Sequence, residues 1–143
     1  EMYFRLGGYA KELKHFAADW DFWLSVYEKK IVGAETNQIL YHRRNHNNNV
    51  INRNMSRWPE VIEIIIYRHP KYFCNNDRKR KALYCVYERL ARHYRGIRKR
   101  KKAAFFAKIA LENGISTTTL EEILKEDKMS NIRYALRLLG KFF

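Results

Sequence analysis

The sequence has little cysteine and no long apolar run, and these two absences exclude several kinds of protein. Its two cysteines, Cys74 and Cys85, show neither C-x-x-C nor metal-ligand spacing, which predicts ordinary reduced thiols in a cytoplasmic protein. No apolar run approaches the roughly 20 residues of a membrane-spanning helix, since the longest candidate, 61–67, is interrupted by Glu63. Residues 1–4 lack a basic segment followed by an apolar one, so no signal peptide is expected.

Acidic residues are also scarce relative to basic ones. The 143 residues include 29 Lys and Arg against 15 Asp and Glu, for a net charge of +14. The excess is uneven, because residues 76–143 carry 18 basic against 7 acidic side chains. A charge this concentrated indicates a polyanionic partner, either nucleic acid or an anionic membrane surface.

A glycine pair lies near the start of the sequence. The apolar run 2–6 ends at Gly7-Gly8 and predicts a strand that enters a tight turn. Glycine accepts the positive φ and the close backbone approach that other residues resist. The turn is either a plain connection or part of the lining of a substrate site.

An acidic, tryptophan-rich segment follows and predicts a helix over residues 19–30. Apolar residues at i, i+3, i+4 and i+7 form one stripe: Trp20, Trp23, Leu24 and Tyr27. We expect Trp23, Leu24 and Tyr27 to pack in the core, whereas Trp20 lies nearest the start of the helix.

Two aspartates flank Trp20. Asp19 and Asp21 are two residues apart, about 200° around a helix, so they cannot both face one site. The positive end of the helix dipole favours an ionised carboxylate at the mouth of the helix, and a general base has to be ionised. Asp19 is therefore either an N-cap or a general base.

A polar run follows a short predicted strand over residues 39–43. It contains Arg43, Arg44, Asn45, His46 and three further asparagines. A guanidinium with an imidazole donor can stabilise negative charge that develops on a departing group. The run is either a solvated loop or part of a site for such an anion.

In this order and spacing, these three segments resemble the second half of the catalytic domain of family 2 glycosyltransferases, which are inverting enzymes of the GT-A fold. The resemblance covers about the first third of the chain. It implies that Asp19 takes the proton from the acceptor hydroxyl, and that Arg43 and His46 approach the diphosphate of the nucleotide-sugar donor. The substrate-binding residues that it implies are Trp20, Asp21, Gly7, Gly8, Arg43 and His46.

The nucleotide-binding half of such an enzyme has no counterpart in this sequence. No Asp-x-Asp precedes Gly7-Gly8, and neither a Gly-rich loop nor an alternation of strands and helices is present. We therefore expect the C-terminal piece of a larger glycosyltransferase, inactive by itself and binding no metal. The resemblance implies that the intact enzyme uses Mg²⁺ or Mn²⁺ and transfers sugar to a glycan or lipid-linked acceptor, in bacterial surface polysaccharide or glycolipid synthesis.

Two positions depart from the family pattern. Ala18 stands where the family usually has an acid, and Ser25 stands where the motif commonly ends in arginine. These departures leave a non-catalytic, partner-binding domain as an alternative.

The rest of the sequence predicts helices. Helical patterns cover residues 58–67, 78–95, 97–113, 118–126 and 130–143. We expect a mainly α chain. A small α+β remnant of the catalytic domain (1–51), with short strands and one helix, precedes a basic helical appendage (52–143) that forms a bundle of about five helices. The last helix either lies in a membrane interface or closes the bundle.

Two partners fit the basic appendage. One is the inner face of a bacterial membrane, where lipid-linked acceptors sit and each nearby basic residue contributes ~1 kcal/mol. The other is nucleic acid, since residues 78–102 carry 12 Lys and Arg against one Glu. Tyr84, Tyr87 and Tyr94 would then stack on bases.

Overall fold

The chain is mainly α-helical, as predicted. The computed structural model describes residues 2–14, 16–34, 37–38, 54–114 and 116–139, and within these ranges it contains six α-helices and no β-strand. The helices are α1 (Met2–Arg5), α2 (Ala18–Glu28), α3 (Trp58–Arg68), α4 (Asn76–Gly96), α5 (Arg100–Asn113) and α6 (Thr118–Leu139). None of the helices in the described ranges has the length and apolarity needed to cross a membrane.

By packing, the chain forms two compact units, Glu1–Asn76 and Asp77–Phe143. They are called the N-terminal unit and the C-terminal unit below. The boundary predicted between residues 51 and 52 follows the family resemblance and stays a prediction. Packing assigns α3 to the N-terminal unit.

The strand predicted over residues 2–6 is wrong, because this segment forms the single helical turn α1. The Gly7 N–H donates to the Phe4 carbonyl and the Gly8 N–H to the Tyr3 carbonyl, both at 3.0 Å. Local bonds thus satisfy backbone groups that a strand would pair with a neighbour. The second predicted strand, 39–43, lies outside the described residues.

The core of the N-terminal unit is built on α3. Pro59 lies in its first turn, where the missing N–H of proline costs nothing, and His69 follows its last residue. Its buried side chains recur at helical spacing: Trp58, Val61, Ile62 and Ile65. Phe16 packs edge to face on Trp58, with ring centroids 4.9 Å apart.

Helix α2 buries a different face from the predicted one. Leu24 is buried as expected, but Trp23 and Tyr27 are 63% and 54% exposed. The buried face contains Ala18 and Asp21 together with Leu24. The Asp21 carboxylate is bound by Arg68, the last residue of α3, and by His69, the residue after it. This face of α2 therefore lies inward, and the aromatic side chains Trp23 and Tyr27 lie at the surface.

In the C-terminal unit, α4 and α5 run antiparallel and form a helical hairpin. Near one end of the pair the Tyr94 ring stacks on Phe106 at 5.4 Å between centroids, and at the other end the Tyr84 ring lies against Gly114. Small residues of α5 form a buried seam: Ala103, Ala104, Ala107 and Ala110. Small side chains allow the close approach that this packing needs.

Helix α6 packs mainly on α5, and Arg95 links it to α4. Arg95 Nη1 donates to Glu122 Oε2 at 3.0 Å, and Nη2 donates to Glu126 Oε1 at 2.6 Å. The hydrogen bond to Glu126, followed by the one to Glu122, raises the pKa of Arg95. The break predicted near residues 127–129 is wrong, since α6 is continuous and these residues include neither proline nor glycine.

Helix α4 ends with an unusual residue. The Lys99 N–H donates to the Tyr94 carbonyl at 2.9 Å, and Arg98 takes a φ of 59°. This is a Schellman ending, whose left-handed position usually holds glycine. An arginine there costs about 1 kcal/mol relative to glycine.

Replacing Gly114 with alanine tests the packing of α5 on α4. An added Cβ would lie 2.2 Å from Tyr84 Cδ2 and 2.6 Å from Cγ, so the ring or the backbone has to move. We expect a loss of about 1–3 kcal/mol in the free energy of unfolding, measured by urea denaturation. Gly96→Ala is the matched control, because a Cβ at Gly96 meets nothing within 4 Å. Equal stability of the two variants would contradict this packing.

The pH dependence of stability tests the environment of His93. Burial lowers the pKa of His93 below its ordinary value, and the charge of Lys99 lowers it further. As the pH falls through about 6.5, the unfolded chain takes up a proton that the folded unit does not, so stability present above that pH is lost. His93→Gln should therefore lose less stability than the parent between pH 7.5 and 5.5 in urea titrations. An identical loss in both chains would refute the assignment.

Candidate functional site

A buried carboxylate connects α2 to the end of α3. Asp21 is 1% exposed, and its Oδ1 accepts hydrogen bonds from Arg68 Nε at 2.8 Å and from His69 Nε2 at 2.9 Å. Arg68 Nη2 lies 3.3 Å from the other oxygen, so the guanidinium binds both. The hydrogen bond to Asp21 raises the pKa of Arg68, partial burial opposes this, and the charges of Asp21 and Glu12 add to the increase.

A second carboxylate completes the cluster. Glu28 Oε2 lies 3.4 Å from His69 Nδ1, and Glu28 Oε1 accepts the Tyr72 N–H at 3.0 Å. The buried His69 ring therefore stands between two carboxylates, one at each nitrogen. A doubly protonated ring donates to both, whereas a neutral ring donates to one. Both nitrogens are occupied, so His69 has no nitrogen left for an external substrate.

An open cleft of about 720 Å³ lies beside this cluster. Its lining combines charged and apolar side chains: Leu6, Ser25, Glu28, Lys29 and residues 66–70. The Ser25 hydroxyl donates to the Asp21 carbonyl at 3.2 Å, and this bond holds it against the helix. Lys29 and the partly exposed Arg68 present positive charge to the cleft.

Asp19 differs from Asp21 in its exposure and in its hydrogen-bond partners. It is exposed in the first turn of α2, and its Oδ1 accepts the Trp20 N–H at 2.9 Å. The N-cap of the helix is Ala17, with a φ of 55°, so Asp19 is not the cap. The expectation that the two aspartates face different surroundings is confirmed.

The structure also describes the other sequence-predicted residues near the start of the chain, Gly7, Gly8 and Trp20. Gly7 and Gly8 have φ values of 85° and 66°, which confirms the tight turn. A Cβ on Gly8 would lie 3.1 Å from Tyr3 Oη, and that same hydroxyl accepts the Tyr9 N–H. Trp20 is half-buried, with its ring centroid 6.3 Å from that of Trp58.

Arg43 and His46 lie outside the described residues, and their roles stay predictions. Among the described residues, no group of three or more His, Cys, Asp and Glu is arranged to hold a metal ion. The divalent metal thus stays a prediction for an intact enzyme.

The sequence patterns did not identify Arg68, His69 or Glu28 as site residues. His69 and Pro70 lie just beyond the helix predicted over residues 58–67 and indicated only where it ends. A signal was nonetheless present, because Asp21 and Glu28 share the face of α2 that Ala18 and Leu24 bury. Carboxylates on an apolar face predict a cationic partner elsewhere in the chain, although not its position.

Comparison with protein-family models, with curated proteins and with solved structures found no match for this chain.

Removing the buried charge tests the cluster. Asp21→Asn removes the negative charge that Arg68 and His69 face, and its amide nitrogen cannot accept the hydrogen bond from Arg68 Nη2. We expect the free energy of unfolding to fall by about 2–4 kcal/mol. This is less than for a fully buried pair, because the Arg68 side chain is 35% exposed. Asp19→Asn, an identical change two residues away, should alter stability by less than about 0.5 kcal/mol. Urea denaturation followed by tryptophan fluorescence measures both, and equal effects would disprove the anchoring role of Asp21.

Proposed function

We propose that this chain supplies the acceptor-activating part of an inverting glycosyltransferase, with Asp19 as the general base. The observation that supports this best is the difference between the two aspartates of Asp19-Trp20-Asp21. Asp21 is held in internal contacts, whereas Asp19 is exposed on the same helix. One carboxylate anchors the helix and the other is accessible to substrate.

The contacts of Asp21 explain how Asp19 would be held in position. Arg68 and His69 fix the start of α2 from the end of α3, and the Trp20 N–H orients one oxygen of Asp19. No side chain among the described residues donates to Asp19, so its second oxygen can accept a hydroxyl proton. General bases work best when such contacts hold them rigidly.

The proposed reaction is a single displacement. The acceptor hydroxyl gives its proton to Asp19 while its oxygen attacks the anomeric carbon of the donor sugar. The bond from that carbon to the nucleoside diphosphate breaks on the opposite face, and the diphosphate leaves with the electron pair, so the configuration inverts. Arg43 and His46 are proposed to stabilise the charge on the departing group.

The surroundings of Asp19 suit a sugar acceptor. The partly exposed ring of Trp20 offers an apolar face next to the carboxylate. The Gly7-Gly8 turn allows a close approach of backbone to ligand, as the resemblance implies. The divalent metal expected in the intact enzyme would neutralise the donor diphosphate, and the residues described here do not supply its ligands.

The test is Asp19→Asn in the intact protein that carries this chain. Release of nucleoside diphosphate from a panel of nucleotide sugars is measured with acceptor present. We expect turnover to fall by about 10²–10⁴-fold, because the amide cannot take the proton. Glu63→Gln is the matched control, since Glu63 is an exposed acid in the middle of α3. Undiminished turnover in Asp19→Asn would remove it from the base role.

A further inference from the structure

The turn between α4 and α5 carries consecutive cations beside exposed apolar side chains, and we propose that it binds an anionic lipid surface. We call residues 97–105 the basic turn. The basic turn lies in the C-terminal unit, and its binding to lipid does not depend on glycosyl transfer.

The cations of the basic turn are available to an external partner. Residues 98–102 are all Lys or Arg, all are exposed, and they line an open cleft of about 570 Å³. None of them forms an ion pair with a described carboxylate. The Lys102 ammonium lies over the Tyr94 ring, 5.5 Å from its centroid. The structure thus concentrates uncompensated positive charge here.

Two cations in the second half of α4 are paired within the protein. Arg92 pairs with Glu88 at 2.8 Å, and Arg95 pairs with two glutamates of α6. These pairs compensate part of the charge excess that the sequence shows over residues 78–102.

Apolar side chains accompany these charges. Ile97 is 48% exposed and Phe105 is 58% exposed. Phe105 follows Lys101 by four residues and precedes Lys108 by three, so the three share one face of α5. Apolar tips among lysines with long apolar stems suit the boundary between lipid headgroups and acyl chains.

The same geometry argues for lipid over nucleic acid. The tyrosines that the sequence offered for base stacking pack inside the unit: Tyr94 is buried, Tyr87 stacks near Phe106, and Tyr84 lies against Gly114. The exposed Ile97 has no ring to stack on a base. A lipid interface accommodates both an aliphatic and an aromatic side chain.

The backbone of the turn adds a further reason. Arg98 has a φ of 59°, which glycine adopts without cost. Local stability alone favours glycine at this position, and the arginine supplies a cation instead.

Sedimentation with vesicles tests the proposal on the whole chain. Phosphatidylcholine vesicles with 30% phosphatidylglycerol should bind it, and pure phosphatidylcholine should not. The chain offers a matched pair of variants, because Lys-Arg-Lys occurs at 99–101 and again at 79–81, near the other end of α4. Replacing 99–101 by glutamine should weaken binding about a hundredfold, at ~1 kcal/mol per charge. The same change at 79–81 should weaken it much less.

Two further variants are informative: Phe105→Trp tests whether the basic turn contacts the lipid directly, and Arg98→Gly tests whether binding weakens without any loss of folding stability. Phe105→Trp should show a blue-shifted emission and quenching by nitroxide-labelled lipid, whereas Tyr67→Trp, at a site 86% exposed, should show neither. Arg98→Gly should raise the melting temperature while weakening vesicle binding about fivefold. Equal loss in both Lys-Arg-Lys variants, no quenching of Phe105→Trp, or binding to a single-stranded oligonucleotide without binding to vesicles would each overturn the proposal.

Discussion

The N-terminal unit depends on one buried ion pair network, in which the Asp21 carboxylate receives Arg68 and His69. A charge 1% exposed is tolerated only when it is paired and hydrogen-bonded. Helix α2 therefore has to lie where the end of α3 can reach it. This requirement decides which face of α2 is buried, places Trp23 and Tyr27 at the surface, and leaves Asp19 exposed in the first turn.

The C-terminal unit separates its charges in a similar way. Arg95 forms ion pairs with two glutamates of α6. The basic turn begins two residues after Arg95, yet its cations form no ion pair with a carboxylate among the described residues. In both units, one charged side chain is paired within the protein, and a like-charged side chain two or three residues away is exposed to an external partner. Asp21 and Asp19 form one such pair, and Arg95 and Arg98 form the other.

The two proposals concern different units and different chemistry. The first assigns proton transfer from an acceptor hydroxyl to Asp19, and the second assigns contact with anionic lipid to the basic turn. They are compatible in one respect, because a lipid-linked acceptor of the kind proposed would lie on the surface that the basic turn is proposed to bind. Each can nevertheless fail alone, since vesicle binding requires no turnover and turnover can be measured with a soluble acceptor.

The sequence by itself determined the features whose causes are local. Pro59 and Pro70 bracket α3, the glycine pair makes the turn at residues 7–8, and helical periodicity located α2, α4 and α5. The helical turn Met2–Arg5 and the continuity of α6 also have local causes, although the sequence patterns did not predict them. Tertiary structure alone decided that Asp21 rather than Trp23 is buried. The reason is distance along the chain: caps and periodicity act within one or two turns, whereas the partners of Asp21 lie 47 and 48 residues away and meet it only after folding.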